Sequence, residues 1–367
     1  KYKRCRAAVD SGVNLVVELP LFYAVSSAEI FAAGAVATLN ALNASFISFG
    51  CENADIQMLK KIAITLVNEP DEYKKHLKKA LTCGDSFPTA RAKALSEFFK
   101  SDDISRLISS PNNILAIEYI KEIIKSESAV TPVALTRKIS GYHDNEIHEN
   151  IASASAIRKI LHDSGIRKNN DSRCKNIKEL QNVMPEAMYN ILASESQNNT
   201  LIYADDFSSM LNYKISNIFY IAKYNKNACI ETLCAYHDIN KDLACRIYSS
   251  FTGCDSFNGF IEKIKTRGFT YSRLSRCLMH IILDIKKENI SQYESLPYIR
   301  ILGFDKKGRE YLSQIKKTCP VPIITKAADY KNLLTDDIHA ASLYNQIVYT
   351  KSGTINKDEF RQPLYIK

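Results

Sequence analysis

Three short apolar runs in the first 137 residues, separated by segments of helical spacing, limit this chain more than anything else in it. "VNLVVEL" (13–19) follows Ser11-Gly12, a helix-stop signal, and ends at Pro20. "SFISF" (45–49) is closed by Gly50, and "AVTPVALTR" (129–137) ends on Arg137, with Lys138 next. Between the first two lies "SSAEIFAAGAVATLNAL" (26–42), with Ser26 and Glu29 at the spacing of a capping box. Helical patterns fill roughly 55–68, 70–82, 89–100 and 112–125, and another helix is predicted over 153–162. Strands that are apolar throughout and alternate with helices need cover on both faces, which a parallel, doubly wound sheet provides. The predicted class is α/β, with a Rossmann-like parallel sheet.

The pattern changes after "DSGIRKNNDSRCKN" (163–176), a polar stretch that reads as a linker. Beyond it the chain is almost entirely helical to about residue 289. "YIRILGF" (298–304), a helix near 306–317 and "VPIIT" (321–325) form a small α/β element, and a last helix covers about 336–348. Two domains are therefore expected, 1–165 and 176–367, the first nucleotide-binding and the second mainly helical. The chain opens on "KYKRC" without an initiator Met, so Lys1 is not expected to be the natural start.

No apolar run reaches the ~18 residues of a membrane span, so no membrane role is expected. Ten cysteines occur without a CxxC pair, which favours a reducing, cytoplasmic setting. Cys229, Cys234, His237 and Cys245 have a spacing that fits no common zinc module, and they read as buried thiols rather than metal ligands. The net charge of +9 is uneven: residues 258–317 hold 13 Lys and Arg against 6 Asp and Glu. Such a concentration suggests a surface facing a polyanion.

Ligands of open parallel sheets bind beyond the carboxyl ends of the strands. Three places qualify: Glu18 with Pro20, Gly50 with Glu52, and Arg137 with Lys138. A glycine there allows close approach to the backbone, and an arginine can pair with phosphate; singly, each is also an ordinary turn or surface residue. Asn112 and Asn113, in "SSPNNILAIEYI", are either caps or amides that read a base or ribose. His143, Asp144, Glu146 and His148 lie in a polar loop that is either solvated or catalytic. In "NIASASAIRKIL" (150–161), Ser153 and Ser155 stand before an amphipathic run and Arg158 one turn inside it. That is a capped helix or half of a phosphate site.

"GVNLVVELPLFYAVSSAEIFAAGAV", "FGCEN", "PNNILAIEYI", "RKISGYHD", "IASASAIRKIL", "FTYSRLSRCLMHIILDI" and "PYIRILGFDKKGREYL" together resemble the bacterial tRNA(Met) cytidine acetate ligase family. That family belongs to the HIGH-type nucleotidyltransferase-like superfamily. The resemblance implies activation of acetate by ATP to acetyl-adenylate, then transfer of acetyl to N4 of the wobble cytidine of elongator tRNA(Met). It further implies that Gly50, Asn112 or Asn113 (Asn113 preferred), Arg137, Lys138, Ser153 and Ser155 contact ATP. Arg158 would act catalytically on the pyrophosphate leaving group, and Mg²⁺ would bridge the phosphates. Family members begin with a strand and an HxGH-type loop; this chain has no such motif and resembles the region after it, so it is expected to be a poor catalyst as it stands.

For the RNA, the basic region supplies Arg267, Arg273, Arg276, Arg300, Lys306 and Lys307. Arg273 and Arg276 are three apart and share a helix face, opposite Leu274, Leu278, Ile281 and Ile282. The linker, with Arg167, Lys168, Arg173 and Lys175, is the alternative RNA surface. A small-molecule adenylyltransferase and a non-catalytic RNA-binding relative are the competing readings.

Overall fold

Residues 1–137, 147–148, 151–166, 177–253 and 255–367 are described by a computed structural model. Helix α1 (Tyr2–Asp10) buries Cys5, Ala7 and Val9 and stops at Ser11, after which Gly12 takes φ +105°. Strand β1 (Leu15–Glu18) and the short α2 (Leu21–Ala24) follow, then α3 (Ala28–Ala41). The cap of α3 is Ser27, whose hydroxyl accepts the Ile30 N–H. Ser26, the expected cap, instead donates to Phe22 O at 2.6 Å.

The next elements match the predicted pattern, β2 (Phe46–Cys51), α4 (Ile56–Asn68), α5 (Asp71–Thr82), α6 (Phe87–Phe99), α8 (Pro111–Lys125) and β3 (Thr131–Thr136), with one helix that was not expected, α7 (Asp102–Ser109). Strands β2 and β3 are parallel and in register from Phe46 opposite Thr131 to Cys51 opposite Thr136. Ile47, Phe49 and Cys51 turn one face of this pair onto α4 and α8, in one core with Leu59, Ile62, Ala116 and Ile120. The other face leaves Phe46, Val133 and Leu135 exposed. The two-residue strands β4 (Ile147–His148) and β5 (Ile151–Ala152) pair antiparallel and lead into α9 (Ala154–Ile166).

The helical region comprises α10 (Glu186–Gln197), α11 (Ser208–Ile221), α12 (Lys226–Cys234), α13 (Lys241–Ser250), α14 (Phe257–Ile264) and α15 (Tyr271–Ile282). Asn225, Asn240, Ser256 and Thr270 cap α12 to α15 through their side chains, as their residue types favour. Ile215, Leu233, Leu243, Phe260, Leu274 and Leu278 share their core. The small α/β element contains β6 (Ile299–Phe304), α16 (Lys306–Ile315) and β7 (Ile323–Ile324); α17 (Thr335–Ser352) and β8 (Tyr365–Ile366) close the chain. Among the described residues no helix is long and apolar enough to cross a membrane.

One expected relationship is different. β1 pairs with β6, antiparallel, with Leu15 opposite Phe304 and Glu18 opposite Arg300. The end of β1 therefore does not lie on the β2–β3 edge with Gly50 and Arg137. β6 is buried along its whole length, flanked by β1 on one side and by β7 and β8 on the other. A Cβ on Gly303 would stand 2.6 Å from Cys5 Sγ and 2.7 Å from Tyr365 O, so only glycine lets α1 and β8 approach here. A core of Phe22, Tyr23, Leu42, Leu283, Tyr293, Ile301 and Ile315 ties residues from both sides of the expected linker together.

Candidate active site and nucleic-acid interface

The carboxyl ends of β2 and β3 meet at Gly50 opposite Leu135 and Cys51 opposite Thr136. Arg137 comes immediately after β3, with its backbone N–H on Cys51 O at 3.0 Å. Its side chain lies along the exposed backbone of Gly50, where a Cβ would sit 3.6 Å from Arg137 Cγ. Beside them the Glu52 carboxylate accepts the Ser110 hydroxyl and Asn112 Nδ2, the latter at 2.7 Å, and stands 3.7 Å from Arg137. Burial pushes the Glu52 pKa up, but the bonds from Ser110 and Asn112, a backbone bond and Arg137 together outweigh it, so the group is held below its ordinary range. The Arg137 contact is longer than the 2.7–2.9 Å of a tight charge-assisted bond, and it is far weaker than a bidentate pair.

The two adjacent asparagines have different jobs. Asn113 is 1% exposed; its Oδ1 accepts Glu52 N–H at 2.9 Å and Asn53 N–H at 3.4 Å, and its Nδ2 donates to Leu107 O at 2.9 Å. It fastens the loop after β2 to α8, and its amide is committed to those bonds, so the preferred nucleotide contact of the pair lies inside the fold. Asn112 is half-buried at the rim, bonded to Glu52. Ser110 was missed: a serine before Pro-Asn-Asn reads as a helix cap, yet its hydroxyl makes no cap bond and serves Glu52 instead.

At the start of α9, Ser153 is buried and its Oγ accepts Ala156 N–H at 2.9 Å, so the capping reading holds. Ser155 is half-buried in the first turn and Arg158 is exposed one turn on. Lys138, His143, Asp144 and Glu146 lie outside the described residues, as do Arg167, Lys168, Arg173 and Lys175 of the linker.

The basic region divides into two kinds of residue. Arg273 and Arg276 share a face of α15, as expected, but both guanidinium groups converge on Asp238, at 3.3 and 3.0 Å. Arg273 also lies over the Phe269 ring. Arg300 cannot contact RNA: it is 4% exposed, inside β6, paired with Glu18 at 3.2 Å and with Glu359. Lys1 joins the same cluster through Glu18 and Glu359. By contrast Arg267, Lys306 and Lys307 are exposed, and among the described residues none has an acidic partner within ion-pair distance. Arg309, Lys316 and Lys317 extend that surface along α16 and just beyond it.

The HIGH Nucleotidyl Transferase family matches residues 1–359. A tRNA(Met) cytidine acetate ligase of Clostridium novyi is 36% identical over all of this chain and 87% of its own length. The like-named protein of a Thermoanaerobacter strain is 34% identical over 99% of the chain and 86% of its own length. The chain belongs to the tRNA(Met) cytidine acetate ligase family. Thermotoga maritima TmcAL in its apo form superposes with a TM-score of 0.86 at 26% identity, covering the whole chain and 87% of that protein. The same protein bound with alpha-thio ATP gives 0.84. Family membership makes this chain a ligase on a nucleotidyltransferase fold.

Proposed function

We propose that the chain takes part in ATP-dependent acetylation of N4 of the wobble cytidine of elongator tRNA(Met), through acetyl-adenylate. An acetate oxygen attacks the α-phosphorus of ATP and pyrophosphate leaves. The cytidine N4 amine then attacks the acetyl carbonyl, AMP departs and N4 loses a proton. No covalent bond to the protein is required, so the chemistry asks for position and charge rather than for an activated nucleophile. Arg137 and Arg158 supply that charge against the phosphates, Gly50 leaves space for the nucleotide against bare backbone, and Asn112, Ser155 and Lys138 complete the contacts. Residues 1–165 carry the nucleotide and 176–367 the tRNA, in a cytoplasmic setting suited to free thiols.

The observation that carries this reading is Arg137 lying along Gly50 at the carboxyl ends of two parallel strands, in a chain whose relatives are named for this activity. The only carboxylate described there, Glu52, is already bound by Ser110, Asn112 and Arg137, so these residues do not make a magnesium cage. Mg²⁺ would arrive on the phosphates of ATP.

The test is mass spectrometry of nucleosides from tRNA(Met) incubated with full-length protein, ATP and labelled acetate. Labelled N4-acetylcytidine is expected. Acetate-dependent pyrophosphate exchange without any labelled nucleoside would move the acceptor elsewhere and favour a small-molecule adenylyltransferase.

A further inference from the structure

Helix α11 is anchored on one side and bare on the other. Leu211, Ile215, Ile218 and Phe219 hold it in the helical core, and Lys214 is paired with Asp284. Tyr213, Tyr220 and Tyr224 are 68%, 70% and 66% exposed, and they are the most exposed tyrosines among the described residues. Ile221 lies beside them, 69% exposed. Tyr213 and Tyr220 are seven residues apart, two helical turns or about 10 Å along the axis, on one face. Tyr224 follows in the turn that ends the helix. Lys223 and Tyr224 both hold left-handed backbone, φ 52° and 55°, an unusual pairing for two non-glycine residues, fixed by bonds from their N–H groups to Tyr220 O and Phe219 O.

The helix and the turn after it carry charge of one sign, although Lys214 is neutralised by Asp284. From Phe207 to Ile230 the sequence has Lys214, Lys223 and Lys226 and no Asp or Glu. Lys223 and Lys226 are exposed, and no ion pair is described for either. A helix face that needed only to be wet would carry no such rings. Tyrosine is common in protein interfaces too, but lysine is depleted there, and the two exposed lysines beside these rings favour a polyanion. Aromatic faces interleaved with lysine match unpaired nucleotides, whose bases stack while their phosphates are neutralised.

We propose that this face, Tyr213, Tyr220 and Tyr224 with Lys223 and Lys226, stacks unpaired bases of a single-stranded RNA loop. The proposal rests on the reading that the substrate is a tRNA.

The test uses full-length protein and two probes, the anticodon stem-loop of tRNA(Met) and a fully paired duplex of equal length, read by fluorescence anisotropy without ATP or acetate. Tyr213→Ala with Tyr220→Ala is expected to weaken stem-loop binding by roughly 5- to 150-fold per stacked base. Duplex binding should stay unchanged, and Tyr213→Phe with Tyr220→Phe should restore the affinity. Equal stem-loop affinity in wild type and the Ala pair overturns the proposal. A Tyr-dependent change in oligomeric mass, seen by sedimentation without RNA, also overturns it, because the face would then belong to a second copy. Failure of the wild-type protein to bind either probe would instead overturn the tRNA reading itself.

Discussion

The side-chain amide of Asn113 holds the backbone of Glu52: Oδ1 accepts its N–H at 2.9 Å while Nδ2 is tied to Leu107 O. The loop that carries Glu52 toward Arg137 is thereby fastened to α8 from inside. Asn113→Ala leaves the half-buried Glu52 N–H and the buried Leu107 carbonyl without this partner, and loosens the Asn53 N–H at the surface. A loss of about 2–4 kcal/mol is expected, read from urea denaturation. Asn112→Ala should cost under about 1 kcal/mol of stability and act on ATP use instead. A similar stability loss for both would contradict the division of labour between them.

Arg137→Ala and Arg158→Ala should each weaken acetate-dependent ATP–pyrophosphate exchange in the full-length protein by about 1.5–3 kcal/mol, roughly 10- to 150-fold. Both side chains have enough exposure to be removed without opening a core. Unchanged exchange in both variants would place the phosphates elsewhere.

Two groups, His237 and Asp337, oppose each other in mild acid. His237 is pushed down to about 4, first by burial and then by His280 beside it. His280 is also lowered by burial. An imidazole depressed in the folded state binds its proton more readily when unfolded, so its contribution is present above pH 6.5 and is lost as pH falls toward 4. Asp337 is raised to about 6, first by burial and then by Glu18. It takes its proton in the folded state first, so it stabilises as pH falls over part of the same window. Asp337→Asn should therefore steepen the loss of stability between pH 6 and 4.5, by at most about 1.4 kcal/mol per pH unit, and His237→Gln should flatten it. Urea melts over that pH range read both slopes. Identical slopes in the two variants would refute the opposition.

Salt dependence separates the basic residues. Lys306→Ala with Lys307→Ala should reduce the salt slope of tRNA binding by nearly two units and leave thermal stability unchanged, because both are exposed and unpaired among the described residues. Arg273→Ala with Arg276→Ala should do the reverse, leaving Asp238 without its two guanidinium partners and lowering stability. Filter binding over a salt series, beside thermal melts, distinguishes the pairs. A full salt slope in the lysine variant would exclude α16 from the interface.

The elements of this fold were legible because buried strands and amphipathic helices write their periods into the chain. "SFISF" and "VALT" identify themselves as β2 and β3, and their parallel pairing follows from the helices between them. Partners across long separations leave no such trace, and β1 was misplaced for that reason. Arg300 carried a usable signal: a single charge within "YIRILGF" must be paired if that strand is buried, and Glu18 is the single charge in "VNLVVEL". The choice between Asn112 and Asn113 turned on helix phase. One residue of α8 is about 100° of rotation, which decides between the rim and the interior.

The antiparallel register of Leu15 with Phe304 also dictates a waiting time at the ribosome. Roughly 280 residues separate the two strands, and at about 5–20 residues per second β1 emerges some 15–55 s before its partner. Throughout that interval an apolar strand has no native edge to join. The parallel pair β2–β3, with α4 and α8, can close long before, so the chain is born as a folded middle with an unfinished beginning that only its last quarter completes.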